Sequence, residues 1–167
     1  MAAALANGKP WRPSLPPEAR EKLDEFEQRA GADFPDLGPR HFDRQGKPMT
    51  LADWAEAMED AEYRVVANDV VESWEISTVW LGLNHGFGPG PPLIFETMVF
   101  DNSPEGLAES RAAVEAVFPG RGKAVPLGPD AFQNRYATEA EALKGHEEAV
   151  VAATAGLIRR YEDDEDD

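Results

Sequence analysis

The stretch from Glu75 to Asp101, EISTVWLGLNHGFGPGPPLIFETMVFD, constrains the fold more than any other part of the chain. Two runs rich in β-branched and aromatic residues flank a connection made almost wholly of Gly and Pro around Asn84, His85 and Phe87. Such side chains fit a pleated surface, so the pattern predicts strands over Glu75 to Leu83 and Leu93 to Asp101. Side chains alternate along a strand. Ile76, Thr78 and Trp80 therefore share one face of the first, with Val79, Leu81 and Leu83 on the other. In the second, Ile94, Met98 and Phe100 oppose Phe95 and Val99. Apolar groups on both faces imply a sheet covered on both sides, or one that meets a partner on one of them.

Upstream, Tyr63 to Val71 (YRVVANDVV) reads as a further strand with a bend or bulge at Asn68-Asp69, close enough to Glu75 to pair antiparallel. Thr50 caps LADWAEAMED, making a partial capping box with Asp53. Leu51, Trp54, Ala55 and Met58 then lay one apolar helix face on the core. Ser103-Pro104-Glu105 starts another helix, with Leu107, Val114, Val117 and Phe118 at helical spacing and Gly106 weakening its first turn. PGRGKAVPLGPD is a Pro/Gly loop, after which Phe132 to Tyr136 can rejoin the sheet as a short strand. Thr138 and Glu141 form a full capping box at the start of the last helix. Leu143, His146, Val150, Thr154, Leu157, Ile158 and Tyr161 run along one side of that helix, with Glu and Ala opposite. Gly145 within it suggests close approach to the sheet.

The expected architecture is α+β: an antiparallel sheet of three to four strands, the C-terminal helix packed across one face and a second helix at the edge. A chain of 167 residues fits one such domain with its extensions. The expected division is a flexible arm over Met1 to Pro13, a helical extension over Ser14 to Arg40, the domain over His41 to Tyr161, and an acidic disordered tail over Glu162 to Asp167. Leu23 and Phe26 give the extension one narrow apolar stripe, as for a helix lying on the domain's edge or on a partner.

Charge narrows the partners. Thirty-two acidic against sixteen basic residues leave a net −16, which argues against direct nucleic-acid binding, since that needs clustered Lys and Arg. Solubility explains such a balance, and so does an acidic face that docks on a basic protein surface, even one that normally binds nucleic acid. No apolar run reaches the roughly 18–20 residues of a membrane helix, and no basic segment precedes the Ala-rich start, so neither a membrane partner nor a secretory signal is expected. The chain has no cysteine, which removes disulfides and thiolate chemistry and is compatible with a cytoplasmic setting.

The candidate chemistry is sparse. The nine residues Asn84 to Pro92 exceed a tight hairpin loop; they serve as a rigid connector or as a recognition loop presenting Asn84, His85 and Phe87. Lys and Ser/Thr are missing where a phosphate loop requires them. Glu96 falls mid-strand, where an exposed or edge position is the ordinary expectation for a carboxylate; if its face is covered it must be paired or protonated, with His85 or Arg135 as candidate partners, and with His85 it would make an acid/base couple. His146 lies on the apolar side of the last helix, where a core-edge histidine bonded to backbone is the ordinary expectation. His41, His85 and His146 are far apart, and no metal-binding spacing or nucleophile motif occurs, so neither metal nor cofactor is expected.

The strings HFDRQGKPMTLADWAEAMED, YRVVA, ISTVWLGLNH, PPLIFETMVF and RYATEAEALKGHEEAVV resemble small proteins of bacteriophage and prophage genomes, especially those of actinobacterial hosts. The resemblance spans His41 to Val151 and implies context, the host cytoplasm, without a reaction. It marks Trp80, Asn84, His85, Glu96 and His146 as positions of interest. The leading expectation is a small interaction protein that binds, and can inhibit, a host or phage protein. A small enzyme or ligand-binding domain using His85 and Glu96 is the alternative, and a structural homo-oligomer is a third.

Overall fold

The Val, Ile and aromatic runs pair as an antiparallel meander. In the computed structural model, which describes residues 15–33, 39–85, 90–117 and 133–158, β1 (Val65–Val71), β2 (Trp74–Trp80), β3 (Phe95–Asp101) and β4 (Gln133–Tyr136) lie side by side in chain order. Five helices accompany them among the described residues: α1 (Pro17–Asp33), α2 (Leu51–Glu59), the single turn α3 (Ala61–Arg64), α4 (Pro104–Val117) and α5 (Glu139–Thr154). The last of these lies across all four strands on one face, so the fold is α+β as expected. The N-terminal arm to Pro13, Phe87, the loop after α4 and the acidic tail fall outside the described residues.

Two strand expectations need correction. Tyr63 and Arg64 belong to α3 and not to β1, because Asp60 Oδ1 accepts the Glu62 and Tyr63 N–H groups and holds the chain in a helical turn. The irregularity in β1 lies between Val65 and Ala67 rather than at Asn68-Asp69, which pair in regular register with Ser77 and Ile76. The register aligns Thr78 with Thr97 and Trp80 with Phe95, so these four side chains face α5 together.

A larger correction concerns α5. Its buried residues are Ala142, Gly145, His146, Ala149 and Ala153, whereas Thr154 and Leu157 are exposed and Leu143 and Val150 only flank the contact. A face of small residues lets the helix axis approach the sheet, and the large side chains come from the strands instead. Ile76, Trp80, Phe95 and Val99 are fully or almost fully buried. Gly145 marks the closest approach: a Cβ there would sit 1.9 Å from the Tyr136 hydroxyl oxygen. The capping box that starts this helix is complete, Thr138 Oγ1 accepting from Glu141 N–H at 3.2 Å and Glu141 Oε2 from Thr138 N–H at 3.0 Å.

The core has two apolar parts. One gathers Phe42, Ala57, Tyr63, Val66, Trp80, Ile94, Phe95 and Ala142; the other is Ile76, Val99, Ala149 and Ala153. α2 touches the first part through Ala57, with Trp54 and Met58 packed against it. Its other side is covered by α1, which explains why Glu56 and Ala52 are buried although neither lies on the expected apolar stripe. Beyond β2, Gly82 turns the chain at φ 62°, and a side chain there would strike the Trp80 indole 2.2 Å away. The Trp80 indole N–H in turn donates to the Phe42 carbonyl at 3.1 Å.

The packing of α5 yields a test. Gly145→Ala should lower stability by about 1–2 kcal/mol despite the helix-propensity gain, because the added methyl overlaps the Tyr136 ring. In a Tyr136→Leu background the same change should be neutral or stabilising. Denaturant unfolding of the four proteins of this cycle measures the difference, and equal effects in both backgrounds would remove the contact as the cause.

Candidate functional site

Thr78, in the middle of β2, is flanked on its own face by Ile76 and Trp80, so its hydroxyl is carried into the core. A buried hydroxyl needs a partner, and it has two. Thr78 Oγ1 lies 2.7 Å from Thr97 Oγ1 and 2.8 Å from His146 Nδ1. His146 Nε2 lies 3.0 Å from Asp69 Oδ2 on β1. An ionised carboxylate only accepts, so the imidazole with one proton donates from Nε2 to Asp69 and accepts at Nδ1 from Thr78. Thr78 then accepts from Thr97. Both ring nitrogens of His146 and the hydroxyls of Thr78 and Thr97 are thereby engaged.

Acid, imidazole and hydroxyl in line is the arrangement of nucleophilic hydrolases. Here it lacks access. Thr78 is 0% and His146 4% exposed. The chain of bonds is therefore a structural one. His146 was expected to bond to backbone; it bonds to side chains instead, because the facing strands offer Thr and Asp with their main-chain groups already paired in the sheet.

A second cluster sits on the opposite face. Glu96 pairs across the ladder with Arg135, and its Oε1 accepts Arg135 Nε–H at 2.9 Å and Gln133 Nε2–H at 2.7 Å. Glu96 is thus buried and paired with Arg135, one of the two candidate partners, and does not take the exposed or edge position that was the ordinary expectation. His85 lies within electrostatic range of both: burial and then the Arg135 charge lower its pKa, and Glu96 opposes them. His85 is half-buried and its N–H meets the Leu93 carbonyl at 3.4 Å. The Asn84 side chain accepts the Leu93 N–H at 3.3 Å, so it closes the loop rather than presenting itself outward. Trp80 is entirely inside the core. Of the six candidates, the structure thus brings His85 near Glu96, buries His146 on the inner face of α5 and Trp80 in the core beneath it, gives Asn84 a local bond, and leaves Phe87 outside the described residues.

Beside the second cluster, a cleft of about 410 Å³ runs between α5 and the segment before β3. Pro91, Leu93 and Tyr136 supply apolar wall; Arg135 and Lys144 supply positive charge, with Glu141 and Glu148 opposite in sign. Neither His85 nor Glu96 lines it. No group of three His, Asp or Glu side chains suited to a metal ion occurs among the described residues, and no described helix is long and apolar enough to cross a membrane.

Sequence reasoning missed Asp69, Thr78 and Thr97. The signal was present in part: period-two alternation puts Thr78 among core residues, and a threonine there demands a partner. The strand register that opposes Thr97, and the rotation of α5 that delivers His146, depend on packing. A third ion pair was also unforeseen. Arg44 is buried with its fork on Glu139 at 2.8 and 2.5 Å, and it donates to the Tyr63 carbonyl at 3.0 Å. Compared with protein-family models, with curated proteins and with solved structures, the chain matches none.

Two outcomes are expected. Thr78→Val should cost about 1–3 kcal/mol by stranding both His146 Nδ1 and the Thr97 hydroxyl, and Thr97→Val should cost less because it removes only the terminal donor. Chemical denaturation that ranked them in the opposite order would refute the bond chain. The second concerns pH. His41 stacks on Trp54 at 5.0 Å, and burial lowers its pKa from 6.5 despite Glu27. The unfolded chain then binds the proton more readily, so this contribution is intact at neutral pH and is lost as pH falls below about 6.5. His41→Gln should flatten the decline of melting temperature on that side, and an unchanged slope would contradict it.

Proposed function

We propose that this chain is a small acidic interaction module of phage type that binds a protein of the host or of the phage itself and can inhibit it. The reading rests on the sheet face opposite α5. There Val70 is 64% exposed, and Val79, Met98 and Phe100 are only half-buried. Among the described helices, the one that spans all four strands, α5, lies on the other face. Monomeric proteins seldom leave such a row uncovered without use. Glu75 borders it and the whole chain carries −16, so charge complementarity favours a partner whose apolar contact is rimmed by Lys and Arg. The closed Asp69–His146–Thr78 set supports binding over hydrolysis.

A second reading, a ligand-binding domain, draws on the cleft beside Arg135. Its apolar wall and the guanidinium, held by Glu96 through Nε, suit a small carboxylate with an apolar body.

The test uses the full chain as bait in an actinobacterial host lysate. Val70→Lys and Phe100→Glu should abolish capture of the specific partner, and Lys144→Ala, on the far side, should leave it unchanged. Affinity should also fall as salt rises, because exposed charges are screened beyond about 8 Å at physiological ionic strength. Capture that ignores the two face variants would refute this use of the sheet. Capture of the chain by itself would favour the homo-oligomeric alternative.

A further inference from the structure

Glu56 is the starting point. It lies on α2, is only 5% exposed, and a buried carboxylate must have its charge met. Both of its oxygens are met by one segment: Oε1 accepts the Leu15 N–H at 2.7 Å and Oε2 accepts Arg20 Nη2–H at 2.7 Å. Arg20 also bonds Asp53, one turn earlier on α2. In return, Glu27 of α1 accepts the free N–H of Leu51 at the start of α2, at 2.8 Å. Arg20 and Glu27 are seven residues apart, two turns on one face of α1.

The hold is polar to an unusual degree. α1 contributes nothing to either part of the apolar core among the described residues. Its Leu23 is half-buried and its Phe26 is 60% exposed. Most helices dock by an apolar stripe, and their release costs the burial of that stripe. Here, release would cost chiefly ion pairs and hydrogen bonds, which water replaces on both sides. The exposed surface of α2 would then present Asp53, Glu56, Glu59 and Asp60 with no Lys or Arg anywhere from Leu51 to Asp60.

We propose that the Asp53/Glu56 notch on α2 is a docking site for an arginine-bearing helix of a partner protein, and that α1 occupies it as an internal substitute until that partner displaces it. The partner helix is defined by what α1 supplies: an arginine whose fork spans two carboxylates, and an acidic residue two turns later for the Leu51 N–H. Two carboxylates one turn apart select a guanidinium over an ammonium, because only the planar fork reaches both. The site is remote from the uncovered sheet face and does not depend on that face being used.

The test has two arms. In the first, a fluorescent peptide of residues 15–33 of this chain is titrated with the full-length protein and read by anisotropy. Arg20→Ala in the protein weakens its own α1 as a competitor, so the peptide should bind that variant at least about tenfold more tightly than wild type. The same peptide carrying Arg20→Ala should lose saturable binding. Equal affinity for the two proteins, or binding indifferent to the peptide's arginine, would overturn the proposal. In the second arm, amide hydrogen exchange is followed in the unaltered full chain from about 0.05 to about 0.5 M salt. Amides of α1 should lose protection as salt rises while those of β2 and β3 keep theirs. Protection of α1 that equals the sheet's at both salt levels would overturn it without reliance on any variant. A dimer of the wild-type chain that disperses on addition of the 15–33 peptide would assign the notch to a second copy and refute a foreign partner.

Discussion

The hydrogen-bonded line Asp69–His146–Thr78–Thr97 is the constraint around which the domain is arranged. It joins β1, β2, β3 and α5, and it lies between the two apolar parts of the core. Apolar contacts tolerate sliding and rotation of a helix over a sheet, whereas an imidazole with two directional partners does not. Moving α5 by one residue would swing His146 off both and strand polar atoms in the interior at about 1–3 kcal/mol each. The small residues on either side along α5 follow from this. Ala142, Gly145, Ala149 and Ala153 keep the helix near enough for the ring to reach Thr78.

Around that line, further charged contacts fix the outlying pieces. Arg44 ties the segment after Arg40 to the first turn of α5 through Glu139, where a carboxylate also favours the helix dipole. The same arginine lies 5.7 Å from the centre of the Tyr63 ring, and Tyr63 meets Trp80 edge-on at 5.0 Å. Trp80 therefore links the outer segment, α3 and the sheet. It is anchored at its nitrogen and cannot also be offered to a partner.

Much of this fold was readable from side-chain period and local chemistry. Alternation located the strands within two or three residues, and the Thr138/Glu141 capping box located the start of α5, because both depend on neighbours in sequence. The Glu96–Arg135 pair was readable too, since an acid within an apolar strand calls for a base on the next one. The rotation of α5 was not. Its large apolar residues form a stripe at helical spacing, and the rule that bulk faces inward points to Leu143, Val150 and Leu157. The strands already fill the interior with Trp80, Phe95 and Ile76, so the helix turns its smallest side chains to them. Likewise, α1 has a narrow apolar stripe because it is held by Arg20 and Glu27, and polar docking leaves little trace in a hydrophobic pattern.

The distribution of charge follows from the same economy of bases. Acidic residues outnumber basic ones two to one, and four of the carboxylates described above meet a cation or a ring. Glu56 takes Arg20, Glu139 takes Arg44, Glu96 takes Arg135, and Asp69 takes His146. Arginine serves three of these four sites, as expected where a planar fork must satisfy a carboxylate away from water. An arginine–carboxylate pair removes one positive charge for each negative one, so the three such pairs leave the surplus of acid over base unchanged among the remaining residues. The surface is consequently more one-sided than the composition.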